Sequence, residues 1–248
     1  MSQTVRRAIE ILEFVARRPR TQTEVGEHLG VHRSTALRIL ESLTDGGLAR
    51  RLPDGRYAVG HRLAGLAHLA AEQFGLTDVA ADHLRGLGER CGHTVHLAAL
   101  EGDRIVYVDK VDPVEGVRLY SEIGRPVPLH TAGVAKAILA HLPRERADAL
   151  LADCDFAAYT GTTLTRPAAY REALDETRAR GWAVDDGEYE DYVNCLAVPV
   201  RDSGGEVVAA VSVTALKARA DLAALTSGVL PDLAATAETI SKELGWRP

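Results

Sequence analysis

Between Thr21 and Val59 the chain changes local structure so often that few folds can accommodate it. Thr21-Gln22-Thr23-Glu24 has the capping-box form, in which a Thr hydroxyl and a Glu carboxylate satisfy each other's orphan backbone donors. The helix it opens runs through Leu29, and Gly30 is able to take the left-handed turn that ends it. His32-Arg33-Ser34-Thr35 opens a further helix with Ala36, Leu37, Leu40 and Leu43 apolar at helical spacing. Upstream, Val5, Ala8, Ile9, Leu12 and Val15 recur at the same period, and Pro19 ends that segment. After Gly46-Gly47, Leu48 to Leu52 and Arg56 to Val59 flank Pro53-Asp54-Gly55, which reads as a β-hairpin. Short helices joined by a glycine turn and followed by a hairpin make a winged helix-turn-helix.

A recognition helix enters the major groove only with a short polar face, and this one offers His32, Arg33, Ser34, Thr35, Arg38 and Glu41. Arg50, Arg51 and Arg56 on the hairpin are placed to neutralise phosphates. The candidate DNA contacts are therefore Thr21, His32, Arg33, Ser34, Thr35, Arg38, Arg50, Arg51 and Arg56. The alternative is a three-helix unit that merely packs or contacts protein. Charge favours DNA: residues 1–60 carry 10 Arg against 7 acidic residues, net +3, whereas the remainder carries 19 basic against 28 acidic residues, net −9. The overall charge of −6 hides two parts with different partners.

A length of 248 residues suits two ordinary domains or one large one. With 46% hydrophobic and 26% charged residues, the composition is that of a soluble globular chain. The longest apolar runs, such as Val207 to Leu216, stop well short of a membrane span. The start, Met1 to Arg7, lacks the pattern of a signal peptide, so the expected location is cytoplasmic. Cys91, Cys154 and Cys195 are widely spaced and odd in number, as expected of reduced thiols rather than a disulfide framework or zinc cage.

Leu63, Leu66, Ala67, Ala70 and Phe74 form an apolar stripe running to Gly75. A helix placed there dimerises the chain, sets the orientation of the head, or is an ordinary core helix. The expected organisation is a head over 1–61, a linker helix over 62–76 and a second domain over 77–248. Within that domain, helices are expected from Thr77 to Gly92, Ala132 to His141, Arg144 to Ala152, Pro167 to Gly181, and Asp221 to Leu244 with a break at Pro231. Strands are expected over Val95–Leu100, Arg104–Val111, Val117–Ser121, Leu196–Val200 and Glu206–Thr214. Strand pairs separated by helices imply a mixed sheet flanked by helices, α+β in class.

Four segments together resemble the IclR family of transcriptional regulators over essentially the whole chain. They are Thr21 to Leu52 with the hairpin ending at Gly60; Val106 to Lys110; Gly124 to Ala140, reading GRPVPLHTAGVAKAILA; and Arg180 to Thr214, containing RGWAVDDGEYEDYVNCLAVPV and VVAAVSVT. The resemblance implies an N-terminal winged helix-turn-helix, a linker helix and a C-terminal GAF-like mixed α/β domain that binds a small effector, usually an organic acid or aromatic catabolite. It further implies a dimer or tetramer that represses or activates a catabolic operon, with no catalytic role and no cofactor. By matching positions it places Gly133, Val134, Asp185, Cys195, Ser212 and Thr214 at the effector. Two departures stand out: Ala135 before Lys136-Ala137 where the family often has Gly, and Tyr192 where Gly is usual, which narrows the expected pocket.

The residues also argue for themselves. Leu129 to Gly133 leads into a helix whose free N–H groups favour an anion, with Gly133 permitting close approach, so a carboxylate effector is expected there. Strand alternation puts Val208, Ala210, Ser212 and Thr214 on one face, where two hydroxyls among apolar groups need backbone or ligand partners. Asp185, Asp186, Glu188, Glu190 and Asp191 lack the order of a calcium loop and read as a solvated acidic loop; the alternative is that one or two of them accept from ligand hydroxyls. Cys91, His93 and His96 do not share a strand face, which disfavours a metal site. Cys195 with His130 is the enzyme alternative, but no nucleophile turn, orienting Asn or Asp pattern or cofactor motif accompanies them. A redox thiol needs exposure, and Val193, Leu196 and Val198 argue that Cys195 is buried.

Overall fold

The computed structural model describes residues 3–73, 75–114, 119 and 121–247. The chain divides into two compact units, Met1–Gly75 and Leu76–Pro248.

In the first unit α1 (Gln3–Arg17), α2 (Gln22–His28) and α3 (Arg33–Asp45) precede a hairpin of β1 (Ala49–Arg51) and β2 (Tyr57–Val59). The capping box forms as the sequence dictates: Glu24 N–H donates to Thr21 Oγ1 at 3.2 Å, and Thr21 N–H donates to Glu24 Oε2 at 2.8 Å. Gly30 takes φ +59°, the left-handed conformation that separates the two helices. Ile11, Val15, Val25, Ala36, Ile39, Leu40, Leu43, Ala49 and Tyr57 form one core. Of the expected α1 stripe, Val15 is buried and Ala8 and Leu12 pack against this core, whereas Val5 and Ile9 are about half exposed at 51% and 47%; Ile11, outside the stripe, is buried. Helix α4 (Arg62–Gln73) follows, with Leu66 and Leu69 exposed. The expected stripe's Phe74 lies outside the described residues.

Helix α5 (Gly75–Cys91) starts two residues earlier than expected and, from Leu76 onward, belongs to the second unit, followed by β3 (Thr94–Glu101) and β4 (Arg104–Val111). Helices α6 (Gly133–Leu139), α7 (Arg144–Leu150) and α8 (Pro167–Arg180) lead to β5 (Ala183–Asp185), β6 (Val193–Arg201) and β7 (Val207–Leu216). The expected terminal helix is broken at Val229 into α9 (Leu222–Gly228) and α10 (Leu230–Glu243), with Pro231 in the first turn of the latter, where its missing N–H costs no helical bond. The strand expected at Val117–Ser121 falls mostly on residues outside those described.

The five strands run in the order β4-β3-β7-β6-β5. Every pairing is antiparallel, a correction to the mixed sheet. The helical crossover from β4 to β5 joins the two opposite edges, so it creates no parallel neighbour. One face packs against α6 and α8 through Val134, Ile138, Tyr170, Leu174, Ala183, Ala197 and Ala210. The other packs against α5 and α10 through Leu84, Leu87, Val95, Leu97, Val211, Val213 and Ile240. Val208 was expected beside Ala210; the register skips it between Val207 and Ala209, and it packs with the second face instead. A bulge of this kind breaks strict alternation.

Candidate functional site

In the first unit the expected DNA-contact residues divide by what already holds them. His32 is the N-cap of α3: its Nδ1 accepts from Ser34 N–H at 3.3 Å and lies 2.8 Å from Ser34 Oγ. Because the backbone N–H makes Nδ1 an acceptor, the Ser34 hydroxyl donates to it and presents its lone pairs outward. Arg33, Ser34 and Arg38 are exposed on α3 and Thr35 is half-buried. Thr21, Arg33 and Arg51 line one open cleft of about 400 Å³, together with Leu37, Glu41 and Tyr57. Arg50 and Arg51 occupy adjacent positions of β1, paired with Ala58 and Tyr57, so they present opposite faces of the hairpin. Arg56 is held by Asp54, Nε to Oδ2 at 2.7 Å, which keeps the Asp54 carboxyl below its ordinary range and balances the Arg charge.

In the second unit the register assembles most of the expected effector residues. Asp185, Cys195, Thr214 and Thr94 are successive cross-strand partners on β5, β6, β7 and β3. Two positions along, Ala183, Ala197, Ser212 and His96 form a parallel row. Rows two residues apart share a face. It is the face under α6, because a Cβ placed on Gly133 would lie 3.1 Å from Cys195 Sγ and 3.4 Å from Ala197 Cβ. Gly133 therefore permits the close approach of α6 to β6. Val134 packs its side chain in the core, so only its backbone is left for a ligand. Ala132 at the N-cap makes no side-chain cap bond, leaving the first turn of α6 without that acceptor.

Burial dominates the electrostatics. The Cys195 thiol is pushed up to about 12, first by burial and then by Asp185, against hydrogen bonds with Thr214 and Ser212. Burial also raises Asp185 above the ordinary carboxylate range, opposed by the bond its Oδ1 accepts from Glu188 N–H at 2.7 Å. His96 is lowered to about 4, mainly by burial and then by Lys110, so it is neutral at physiological pH. Its Nε2 lies 2.6 Å from Ser121 Oγ, and its ring packs beside Tyr107 at 5.2 Å. The sequence gives no sign that Thr94 and His96 belong with the effector residues, since only the register reveals that they continue the Thr214 and Ser212 rows; Tyr107, opposite Ala98, joins them through its ring contact with His96.

The acidic loop is not simply solvated. Asp186 and Asp191 are exposed, but Asp185 and Glu188 are buried. Glu188 is ion-paired with buried Lys136, whose Nζ also donates to Val184 O at 3.0 Å. Thr162 and Thr163 hydroxyls donate to the carbonyls of Asp186 and Glu188, at 3.0 and 2.6 Å. Tyr192 is 48% exposed, so it does not narrow an interior pocket, and Ala135 is buried in the core. His130 meets Cys154 and Ala157 rather than Cys195. Among the described residues no group of three or more His, Cys, Asp or Glu is placed to hold a metal ion. Among them, too, no helix is long and apolar enough to cross a membrane.

A helix-turn-helix with a wing in one unit, and a buried polar sheet face under a helix in the other, define a transcription regulator with separate DNA- and ligand-binding domains. The family model for the bacterial transcriptional regulator IclR C-terminal domain matches residues 68–242, and that for the IclR helix-turn-helix domain matches residues 4–53; the chain belongs to the IclR family. The HTH-type transcriptional regulator XynR of Escherichia coli K12 is 32% identical over 228 residues, covering 91% of this chain and 90% of that protein. The crystal structure of Thermotoga maritima IclR matches with a TM-score of 0.82 and 31% identity, covering 98% of this chain and 99% of that one. An IclR homolog from Microbacterium hydrocarbonoxydans, complexed with 4-hydroxybenzoate, matches with a TM-score of 0.82 and 25% identity over 98% and 99% of the two chains. As a member of this family the chain is an effector-responsive transcriptional regulator and not an enzyme.

Proposed function

We propose that the chain acts as a cytoplasmic homodimer or homotetramer that binds an inverted-repeat operator, with a head over 1–61, a linker helix over 62–76 and an effector domain over 77–248. The exposed apolar residues Val5 and Ile9 on α1, and Leu66 and Leu69 on α4, support association. Ser34, Thr35 and Arg38 read bases, while Arg33, Arg50 and Arg51 act on phosphates. Thr21 and His32 serve DNA mainly by fixing the starts of α2 and α3.

The effector is a small carboxylate seated among Gly133, Val134, Asp185, Cys195, Ser212 and Thr214. The alignment of Asp185, Cys195 and Thr214 across three strands beneath α6 carries this reading. Because α6 has only seven residues, its uncapped N–H groups rather than a long helix dipole supply the attraction. Burial raises the Asp185 carboxyl above its ordinary range, which lessens its opposition to a second carboxylate nearby. The homolog bound to 4-hydroxybenzoate makes aromatic acids the first class to try, followed by sugar acids and hydroxy acids.

Isothermal titration of such a panel, each acid beside its methyl ester, tests the site. An acid that binds at least about fivefold more tightly than its ester, and loses a similar factor in Ser212→Ala, supports it. Equal affinity for acid and ester removes the anion, and unchanged affinity in Ser212→Ala removes that hydroxyl.

A further inference from the structure

We propose that Cys154 is an activated thiol, with His130 as its base, and that it is a site of oxidation by small hydroperoxides. His130 is 3% exposed and its two ring nitrogens have different partners. Nε2 lies 3.0 Å from the carbonyl oxygen of Ala157. A carbonyl only accepts, so Nε2 carries a proton and the neutral ring keeps its lone pair on Nδ1. That Nδ1 lies 3.4 Å from Cys154 Sγ, within reach of the thiol proton. The ring is held by Phe156 and Tyr159, with centroids 5.3 and 5.6 Å away. A nucleophile facing a base whose tautomer is fixed by a third group is the arrangement that makes a thiol reactive.

The other two cysteines show the contrast within one chain. Cys91 Sγ is directed at the carbonyls of Gly88 and His93, which accept from a thiol but cannot take its proton, and burial raises it. Cys195 is buried and raised further. Cys154 is partly exposed and faces a basic nitrogen. With hydrogen peroxide, the proton passes from Cys154 Sγ to His130 Nδ1 and the sulfur attacks one peroxide oxygen. The S–O bond forms as the O–O bond breaks, and the departing hydroxide takes the proton from Nδ1 to leave as water. Sulfur is oxidised by two electrons to a sulfenic acid and the peroxide is reduced.

The test treats the full-length protein with iodoacetamide at pH 6.5, folded and in guanidinium, and follows each cysteine by peptide mass mapping. Cys154 is expected to react about tenfold faster in the folded chain than in the unfolded one, while Cys91 and Cys195 react more slowly when folded. His130→Gln is expected to abolish the advantage; should circular dichroism show that variant unfolded, the wild-type comparison alone decides. Dimedone trapping after one equivalent of hydrogen peroxide is expected to label Cys154 first. A Cys154 that reacts no faster folded than unfolded, a folded His130→Gln that keeps the advantage, or sulfenic acid trapped elsewhere overturns the proposal.

Discussion

A Cβ on Gly133 would sit 3.1 Å from the sulfur of Cys195, a separation at which one of the two must give way. The glycine at the start of α6 and the thiol in the middle of β6 are therefore one steric unit. Gly133→Ala is expected to destabilise the second unit by about 1–3 kcal/mol, through the overpacking of the new methyl against the Cys195 sulfur. Cys195→Ala in the same chain should recover part of that loss. Thermal melts of the two single variants and the double variant give the coupling, and strict additivity would contradict the steric account.

Lys136 and Glu188 yield a prediction whose sign depends on pH. Burial raises Glu188 from 4.5 to about 7 even though Lys136 pulls it down. Between those values the folded chain holds a proton that the unfolded chain has released, so this group's contribution to stability falls as pH rises through that window. Removing Lys136 lifts Glu188 further and leaves an uncompensated buried carboxylate at higher pH. Lys136→Met should cost about 3–5 kcal/mol at pH 8 and clearly less at pH 5. Denaturant unfolding at the two pH values checks it, and an equal loss at both would show that the pair does not carry the effect.

The hairpin arginines are separated by their partners. Arg51→Ala should lower the salt dependence of DNA binding by about one unit of slope, the signature of one phosphate contact. Arg56→Ala should change the slope less, since Asp54 already balances that charge. Arg38→Ala should alter the preferred sequence more than either does. Fluorescence anisotropy over a series of salt concentrations measures all three, and a larger slope change for Arg56 than for Arg51 would reverse the assignment.

Thr21→Ala and Thr21→Ser distinguish support from contact. The capping box holds the Glu24 carboxyl at about 2, with Thr21 as the leading cause. Loss of the hydroxyl should cost the first unit about 1 kcal/mol, and Thr21→Ser should restore it. Should Thr21→Ala leave stability unchanged yet abolish DNA binding, the residue touches DNA directly instead.

The first unit was legible because its signals are local. A capping box, a left-handed glycine and an Asp-Gly turn act within a few residues of themselves. The second unit was legible in its helices and longer strands but not in its pairing. β5 is three residues long, too short to show alternation, and the bulge at Val208 shifts side chains in a way that strict alternation does not anticipate. His96 joins Ser212 only through a pairing across more than a hundred residues. The acidic loop read as solvated because Lys136, which draws Glu188 inward, lies on a helix 52 residues away. On α1, Ala8, Leu12 and Val15 of the expected stripe meet the core while Val5 and Ile9 do not, because spacing alone does not say how far along a helix the contact extends or that Ile11 joins it.

In a symmetric oligomer, the polar face of α3 and its wing are expected to read DNA as a two-fold pair. Selection of bound duplexes from a random library by the full-length protein tests this most directly, with no need to know the effector. The expected result is enrichment of an approximate inverted repeat, with half-site centres separated by about one helical turn or a multiple of it, and a changed half-site in Arg38→Ala. Enrichment of a single asymmetric half-site, or of no sequence at all, would contradict it.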